Sequence, residues 1–163
     1  MGTVWKIWLY ELVKILFFLK GDIMSKVAVV YWSGTGNTAA MADAVAKGAT
    51  NAGAEVTCAD TSTFDSSKLS EYSGVALGCP AMGAEQLDDA EFEPFYESIK
   101  GSLGGKKVGL FGSYGWGDGE WMRTWQADAR DSGLSLVMDG VIAHEAPDDT
   151  AVAECESLGA ALV

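Results

Sequence analysis

The sequence predicts an α/β fold in three layers, with a doubly wound parallel sheet of five strands between two layers of helices. Short, continuously apolar runs alternate with longer runs in which apolar residues recur every three to four positions. The first pattern is typical of strands buried on both faces, and the second of the helices that cover them. The 163 residues also suit one domain with a single core.

The predicted elements of the first half follow one another in order. Residues 27–32 predict the first strand, and a helical pattern that includes Met41 and Val45 follows it. Residues 54–59 predict a second, short strand. Residues 60–71 are polar and predict a loop with one helical turn at most.

The second half continues the alternation. Pro94 is compatible with its predicted helix only in the first turn. Parallel strands joined by helices require right-handed crossovers. The elements are a third strand at 74–79, a helix at 91–100, a fourth strand at 107–112, a helix at 120–132, a fifth strand at 134–143 and a last helix at 150–162.

Residues 1–23 differ from the rest of the chain. They are apolar on nearly every face, but their longest uncharged stretch, 15–19, is too short to span a bilayer, and no signal-peptide cleavage site follows it. One interpretation is a membrane-surface helix. The other, which we prefer, is that the native protein starts at Met24 and that residues 1–23 are a translation of the nucleotides upstream of the start codon. Codons for residues 20–22 can form a purine-rich stretch of the kind that precedes bacterial start codons.

Charge limits the classes of partner. The chain carries 23 Asp and Glu against 11 Lys and Arg, a net charge of −12. Residues 24–163 alone have 8 Lys and Arg against 21 acids, a net charge of −13. Such a surface repels nucleic acids and anionic lipids, and it predicts protein partners with basic patches.

Cysteine and histidine indicate no metal or disulfide chemistry. Cys58, Cys79 and Cys155 are an odd number without C-x-x-C spacing, and they predict packed residues of a cytoplasmic protein. His144 is the only histidine and predicts a structural role.

Three loops follow the first, third and fourth strands, which are neighbours in a 2-1-3-4-5 strand order, and ligands bind at this edge of open α/β sheets. The first loop combines glycines, which allow close backbone approach, with side-chain donors and a helix N-terminus, and so predicts a phosphate site. It lacks the lysine of a nucleoside triphosphate loop and matches the dinucleotide fingerprint only loosely. Its residues are Ser33, Gly34, Thr35, Gly36, Asn37 and Thr38.

The other two loops predict contacts to an aromatic ligand. Met82 offers a polarisable thioether, although core packing is an equal alternative, and the peptide after Gly83 can flip at low cost. Trp116 stands between two glycines and either docks in the core or covers a ligand, which we favour. The candidate residues are Ala81, Met82, Gly83, Ala84 and Glu85 in the second loop and Ser113, Tyr114, Gly115, Trp116, Gly117 and Asp118 in the third.

These motifs resemble those of short-chain bacterial flavodoxins of the clostridial type. The resembling stretches are YWSGTGNT at 31–38, GCPAMG at 78–83 and GSYGWG at 112–117, within a resemblance that covers 24–163. The resemblance implies a flavodoxin-like sheet in the order 2-1-3-4-5 and noncovalent FMN. It also implies a cytoplasmic, monomeric, low-potential carrier that shuttles single electrons between redox enzymes through the semiquinone/hydroquinone couple.

The resemblance also implies roles for the candidate residues. Residues 33–38 would bind the phosphate, and Met82 and Trp116 would enclose the isoalloxazine ring. Glu85 would accept a hydrogen bond from the flavin N3 hydrogen, and the loop 113–118 would contact the polar edge of the ring.

Redox tuning would come from the second loop and from nearby acids. As in the resembled family, the carbonyl of Gly83 could rotate to accept a hydrogen bond from flavin N5. Ala84 stands where some members of the family carry a polar residue. Acids near the two ring loops, among them Asp88 and Asp118, would disfavour the fully reduced flavin. An NAD(P)H-dependent flavin or quinone reductase is the alternative function. A receiver domain and a low-molecular-weight phosphatase are excluded because their catalytic residues are missing.

Overall fold

A parallel sheet lies at the centre of the fold, in a computed structural model that describes residues 2–21 and 24–163. The chain passes through the elements in this order: α1 (Gly2–Gly21), β1 (Lys26–Tyr31), α2 (Asn37–Asn51), β2 (Glu55–Asp60), a 3₁₀ helix (Ser66–Glu71), β3 (Gly74–Gly78), α3 (Phe92–Lys100), β4 (Lys107–Tyr114), α4 (Glu120–Asp131), β5 (Ser135–Leu136), β6 (Val141–His144) and α5 (Asp149–Ala161).

The strand order is β2-β1-β3-β4-β5, with β6 also beside β4, and every pairing is parallel. This confirms the predicted order 2-1-3-4-5. The predicted fifth strand is split: the amide of Val137 still donates to the Val108 carbonyl of β4 at 2.9 Å, and the chain then leaves the sheet until β6 begins at Val141. The amide of Gly140 donates instead to Gln126 Oε1 at 2.7 Å.

Strand burial follows position in the sheet. All of β3 and the four inner residues of β1 are buried, as their continuous apolar character predicts. The edge strand β2 is partly exposed, and Cys58 within it is exposed, so the prediction of a packed position was wrong for this cysteine. Cys79 and Cys155 are buried, and burial raises the pKa of each to about 12.

Two boundaries matter for the site. The strand β4 continues two residues beyond its predicted end, so Ser113 and Tyr114 belong to its carboxyl end rather than to the loop. The helix α3 begins at Phe92 and thus holds Pro94 in its first turn, as expected. The carboxylate of Asp88 accepts from the amides of Glu91 at 2.7 Å and Phe92 at 2.9 Å and so caps this helix.

The sheet separates two cores. On one face α3 and α4 contribute aromatic rings, and Trp125 meets Phe92 edge-on with 5.3 Å between ring centroids. On the other face α2 and α5 pack closely. A Cβ atom at Gly48 would overlap the Glu156 carbonyl, and one at Gly159 the Val45 carbonyl, so glycine permits the approach.

The first helix is separate in character. Its described side chains, residues 4–16, are all exposed. Among the helices of the described residues, none combines the length and apolar character that crossing a membrane requires.

Candidate functional site

A cavity of about 520 Å³ lies at the carboxyl edge of the sheet, within the usual size of small-molecule sites. All three predicted loops contribute to it, and so does a fourth segment after β6. The lining residues are Gly34, Thr35, Asn37, Pro80, Ala81, Met82, Ser113, Tyr114, Gly115, Glu145 and Ala146.

Hydrogen bonds between the ends of the strands hold the walls of the cavity together. Ser113 is central, since its amide and hydroxyl lie 3.4 and 3.3 Å from Thr38 Oγ1 and its carbonyl accepts from the amide of Ala81 at 3.0 Å. The amide of Glu145 donates to the carbonyl of Tyr114 at 2.8 Å. These bonds make the site a rigid edge of the sheet rather than a set of independent loops.

The first loop opens onto the N-terminus of α2. Gly36 precedes this helix with φ +98°, a left-handed conformation that favours glycine. Ser33 Oγ accepts from the amides of Gly36 and Ala39 at 3.1 and 3.3 Å and so shapes the turn. First-turn amides have no carbonyl partner within their own helix, so those of Asn37 and Thr38 can meet an anion.

The side chain of Thr38 plays a different part from the one expected. It is 1% exposed, and its hydroxyl contacts Ser113. It therefore joins the first and third loops instead of projecting a donor towards the cavity. Thr35 and Asn37 do line the cavity, whereas Ser33 and Gly36 line a neighbouring hollow of about 310 Å³.

The second loop is a tight turn pinned at both ends. Met82 and Gln86 exchange both backbone hydrogen bonds, each at 2.8 Å. Between them Gly83 has φ +52°, and Gly83 and Ala84 are exposed. Met82 is half-buried and lines the cavity, so the core alternative for this residue does not hold.

The carboxylate of Glu85 caps the start of α4. Its Oε1 accepts from the amides of Asp118, Gly119 and Glu120 at 3.0, 3.2 and 3.3 Å. A Cβ atom at Gly117 would collide with this carboxylate, which explains a glycine at that position. The second and third loops are thus joined through one carboxylate, at a helix N-terminus that favours negative charge.

Aromatic residues follow β4 in two different settings. The ring of Tyr114 packs against Trp121, with 5.5 Å between centroids, and against His144, with 5.3 Å, so His144 has a packing role at the cavity rim. Trp116 is 51% exposed and is therefore no part of the core. A large aromatic side chain left exposed beside a cavity supports the interpretation that it covers a ligand.

The acids near the site do not form one solvated cluster. Asp88, expected only as one of the acids near the ring loops, is 6% exposed and accepts hydrogen bonds from the backbone of α3. Asp118 is exposed and pairs with Arg123 at 2.8 Å, and this guanidinium lowers the pKa of the carboxyl. Glu85, Asp118 and Glu120 bring carboxylate oxygens within 4.8 Å of one another.

The structure sorts the predicted residues by position. Eight line the cavity: Gly34, Thr35, Asn37, Ala81, Met82, Ser113, Tyr114 and Gly115. Ser33, Gly36, Thr38, Gly83, Ala84, Glu85, Trp116, Gly117 and Asp118 flank it in the same loops without lining it.

Sequence reasoning missed Pro80, Glu145 and Ala146. The rule that ligands bind beyond the carboxyl ends of strands also applies to the fifth strand and would have indicated 145–146. Glu145 carries a second signal that only the structure shows. It and Glu85 are the two residues other than glycine with positive φ in the described chain, at +58° and +53°. Such strain is common at ligand sites.

The fold and the cavity together define a doubly wound α/β protein whose carboxyl edge offers a site suited to a phosphate-bearing aromatic cofactor. The residues present fit FMN, because open amides suit its phosphate while a thioether and an exposed indole suit its ring.

Comparisons with known proteins agree. The family model described as flavodoxin matches residues 29–159, and the chain belongs to the flavodoxin family. It is 44% identical to the flavodoxin of Megasphaera elsdenii over 138 residues, which cover 83% of this chain and 96% of that protein. It is also 44% identical to the flavodoxin of Clostridium beijerinckii over 131 residues, 80% and 94% of the two chains.

Solved structures show the same relationship. The two-electron reduced Megasphaera elsdenii flavodoxin matches with a TM-score of 0.77, covering 83% of this chain and 97% of that one. A flavodoxin from the domain Archaea, 27% identical, matches with a TM-score of 0.71. The chain is therefore an FMN-binding carrier of electrons between redox proteins, not an enzyme, and the reductase alternative is not favoured.

Proposed function

We propose that FMN binds with its phosphate at the start of α2 and with its ring at the end of the cavity near Met82 and Trp116. The observation that carries this proposal is the cavity itself, which is lined both by Asn37 in the first turn of α2 and by Met82. When bound, FMN supplies the chemistry of accepting and releasing single electrons. The residues of this chain bind, orient and shield it.

At the phosphate end, backbone donors would do most of the binding. The loop 33–38 has no Lys or Arg. The side chains of Thr35 and Asn37 would add donors beside the amides of the first turn, whose dipoles favour an anion. Thr38 would contribute its amide and, through its hydroxyl, the position of Ser113.

At the ring end, two residues would set orientation. Glu85 uses Oε1 for the α4 amides, and its other carboxylate oxygen would accept from the ring N3 hydrogen. The turn between Met82 and Gln86 is held at its ends, so the peptide after Gly83 would turn without disturbing the loop. The segment 113–118 would face the polar edge of the ring.

Binding of FMN and riboflavin, measured side by side, tests the two ends separately. Riboflavin lacks the phosphate, so it should bind at least about tenfold more weakly than FMN. Thr35→Val should weaken the binding of FMN but not of riboflavin, so the difference between the two affinities should decrease. Trp116→Ala should weaken the binding of both flavins about 5- to 150-fold, which corresponds to the loss of about 1–3 kcal/mol of aromatic stacking.

Two control variants match these changes. Thr124→Val removes an exposed hydroxyl from α4, and Trp5→Ala removes an exposed indole from α1, both away from the cavity. Neither should change the two affinities. Equal affinities for FMN and riboflavin in the unaltered protein would contradict the phosphate assignment, and unchanged affinities in Trp116→Ala would contradict the ring assignment.

We further propose that residues 24–163 act as a monomeric cytoplasmic domain that docks on basic patches of its redox partners. Its net charge of −13 supports the docking mode. In the described part of this domain only Met24 and Trp116 are exposed large apolar side chains, which supports a monomer. Its three free cysteines support a reducing compartment.

A further inference from the structure

The largest feature that electron transfer does not explain is the exposed apolar surface of α1. Ten large apolar side chains between Val4 and Leu16 are 52–79% exposed. Contiguous apolar patches of this kind mark interaction surfaces. The segment also lies outside residues 29–159, the part of the chain that the flavodoxin family model matches.

Polar and apolar side chains of α1 lie on different faces of the helix. Lys6, Tyr10 and Lys14 follow one another at intervals of four residues and form a polar stripe. Lys14 Nζ lies 4.9 Å from the Tyr10 ring centroid and 3.9 Å from Glu11 Oε1, so the polar groups contact one another. We call this face the polar stripe.

A different face of the helix is wholly apolar. It forms a shallow groove whose lining has no charged side chain; the lining residues are Val4, Trp5, Trp8, Leu9 and Leu12. Two of the five are tryptophans, which prefer the boundary between lipid headgroups and acyl chains. We call this face the apolar groove.

The charge of α1 is opposite to that of the rest of the chain. The helix has three lysines and one glutamate, whereas residues 24–163 carry −13. Anionic headgroups therefore attract the helix but repel the domain. An apolar groove beside a lysine-bearing stripe matches the arrangement of helices that lie in a membrane surface.

We propose that α1 lies in the surface of a bilayer that contains anionic lipids, with the apolar groove towards the acyl chains and the polar stripe towards the headgroups. A second copy of the chain is the competing occupant of the groove. It is disfavoured because exposed apolar side chains extend beyond the single seam that a helix pair covers. This proposal applies to a chain translated from Met1, the alternative to a start at Met24, and it does not depend on how FMN is bound.

Vesicle flotation of the FMN-loaded full chain tests the proposal. The probes are vesicles of phosphatidylcholine with 30% phosphatidylserine and vesicles of phosphatidylcholine alone. The chain should float with the first kind, and its partition coefficient should be several-fold lower for the second kind and for the first kind in 0.5 M salt.

Two single substitutions provide the matched comparison. Leu12→Glu places a carboxylate in the apolar groove, and Ile7→Glu places one next to the polar stripe; the original side chains are 52% and 63% exposed. Both variants lose one aliphatic side chain and gain one negative charge. Leu12→Glu should lower partitioning about tenfold or more, and Ile7→Glu less than about threefold.

Four results would overturn the proposal. The full chain could stay with the lipid-free fraction, or the two variants could lose partitioning equally. In sedimentation without vesicles, a dimer that Leu12→Glu dissociates would assign the groove to a second copy. An intact mass of the native protein that starts at Met24 would show that the cell does not make the helix.

Discussion

Gly83 is the residue through which we propose that backbone conformation affects electron transfer. It lies at the exposed tip of a turn whose ends are fixed by the paired backbone bonds of Met82 and Gln86. Its φ of +52° is left-handed, and a Cβ atom there would meet only Gln86 Oε1, at 3.8 Å. Substitution would therefore restrict the backbone without causing a collision.

We expect Gly83→Val to lower the first one-electron potential of bound FMN selectively. A β-branched residue opposes rotation of the Gly83 carbonyl, and loss of one hydrogen bond of about 1 kcal/mol corresponds to roughly 40 mV. The measurement is potentiometric titration. Gly105→Val is the control, because Gly105 also has a positive φ, +80°, and open space around it. An unchanged first potential in Gly83→Val would exclude the rotation.

Capping decides how the elements around the site begin. Helix α3 starts under the carboxylate of Asp88, which accepts two of its amides while almost fully buried. Helix α4 is capped by the carboxylate of Glu85, which belongs to the second loop. In both cases a carboxylate compensates amides that the helix itself cannot pair.

Asp88→Ala should destabilise the protein by about 1–2 kcal/mol, because it leaves the buried start of α3 without an acceptor. Urea unfolding of the FMN-loaded protein measures the effect. Asp89→Ala is the matched control, since it removes the same charge from the neighbouring exposed position and should change stability by less than about 0.5 kcal/mol. Equal effects in the two variants would argue against the capping role.

At the scale of the whole molecule, charge acts on encounter with partners more than on the fold. Residues 24–163 carry −13, and several exposed acids, among them Glu120 and Glu145, stand near the cavity. Long-range attraction to a basic protein raises the association rate and is screened by salt. The two apolar cores on either side of the sheet are insensitive to this field.

Electron transfer from the reduced holoprotein to a basic acceptor protein should slow about tenfold or more between 10 mM and 500 mM salt. Stopped-flow absorbance measures the rate constant. A small uncharged acceptor is the control, because its rate should change little over the same range. A rate with the basic protein that stays constant or increases with salt would contradict docking on basic patches.

Much of the cavity lining was predictable because its signals are local. Glycines, hydroxyls and an isolated tryptophan between glycines mark 33–38 and 113–118 in the sequence itself. Long-range partners were not predictable. The contact of Thr38 with Ser113 joins residues 75 positions apart, and that of Glu85 with the amides of α4 joins residues 33 to 35 positions apart.

The sequence by itself determined the alternation of strands and helices, the loops that line the cavity and the resemblance that led to the family, because hydrophobic period and turn chemistry are local properties. The tertiary structure decided which donors face the cavity and which hold its walls together. It split the fifth strand, placed Glu145 in the cavity lining and made Asp88 a buried helix cap. Each of these outcomes depends on which backbone groups pair across the sheet, and a local sequence pattern does not determine this pairing.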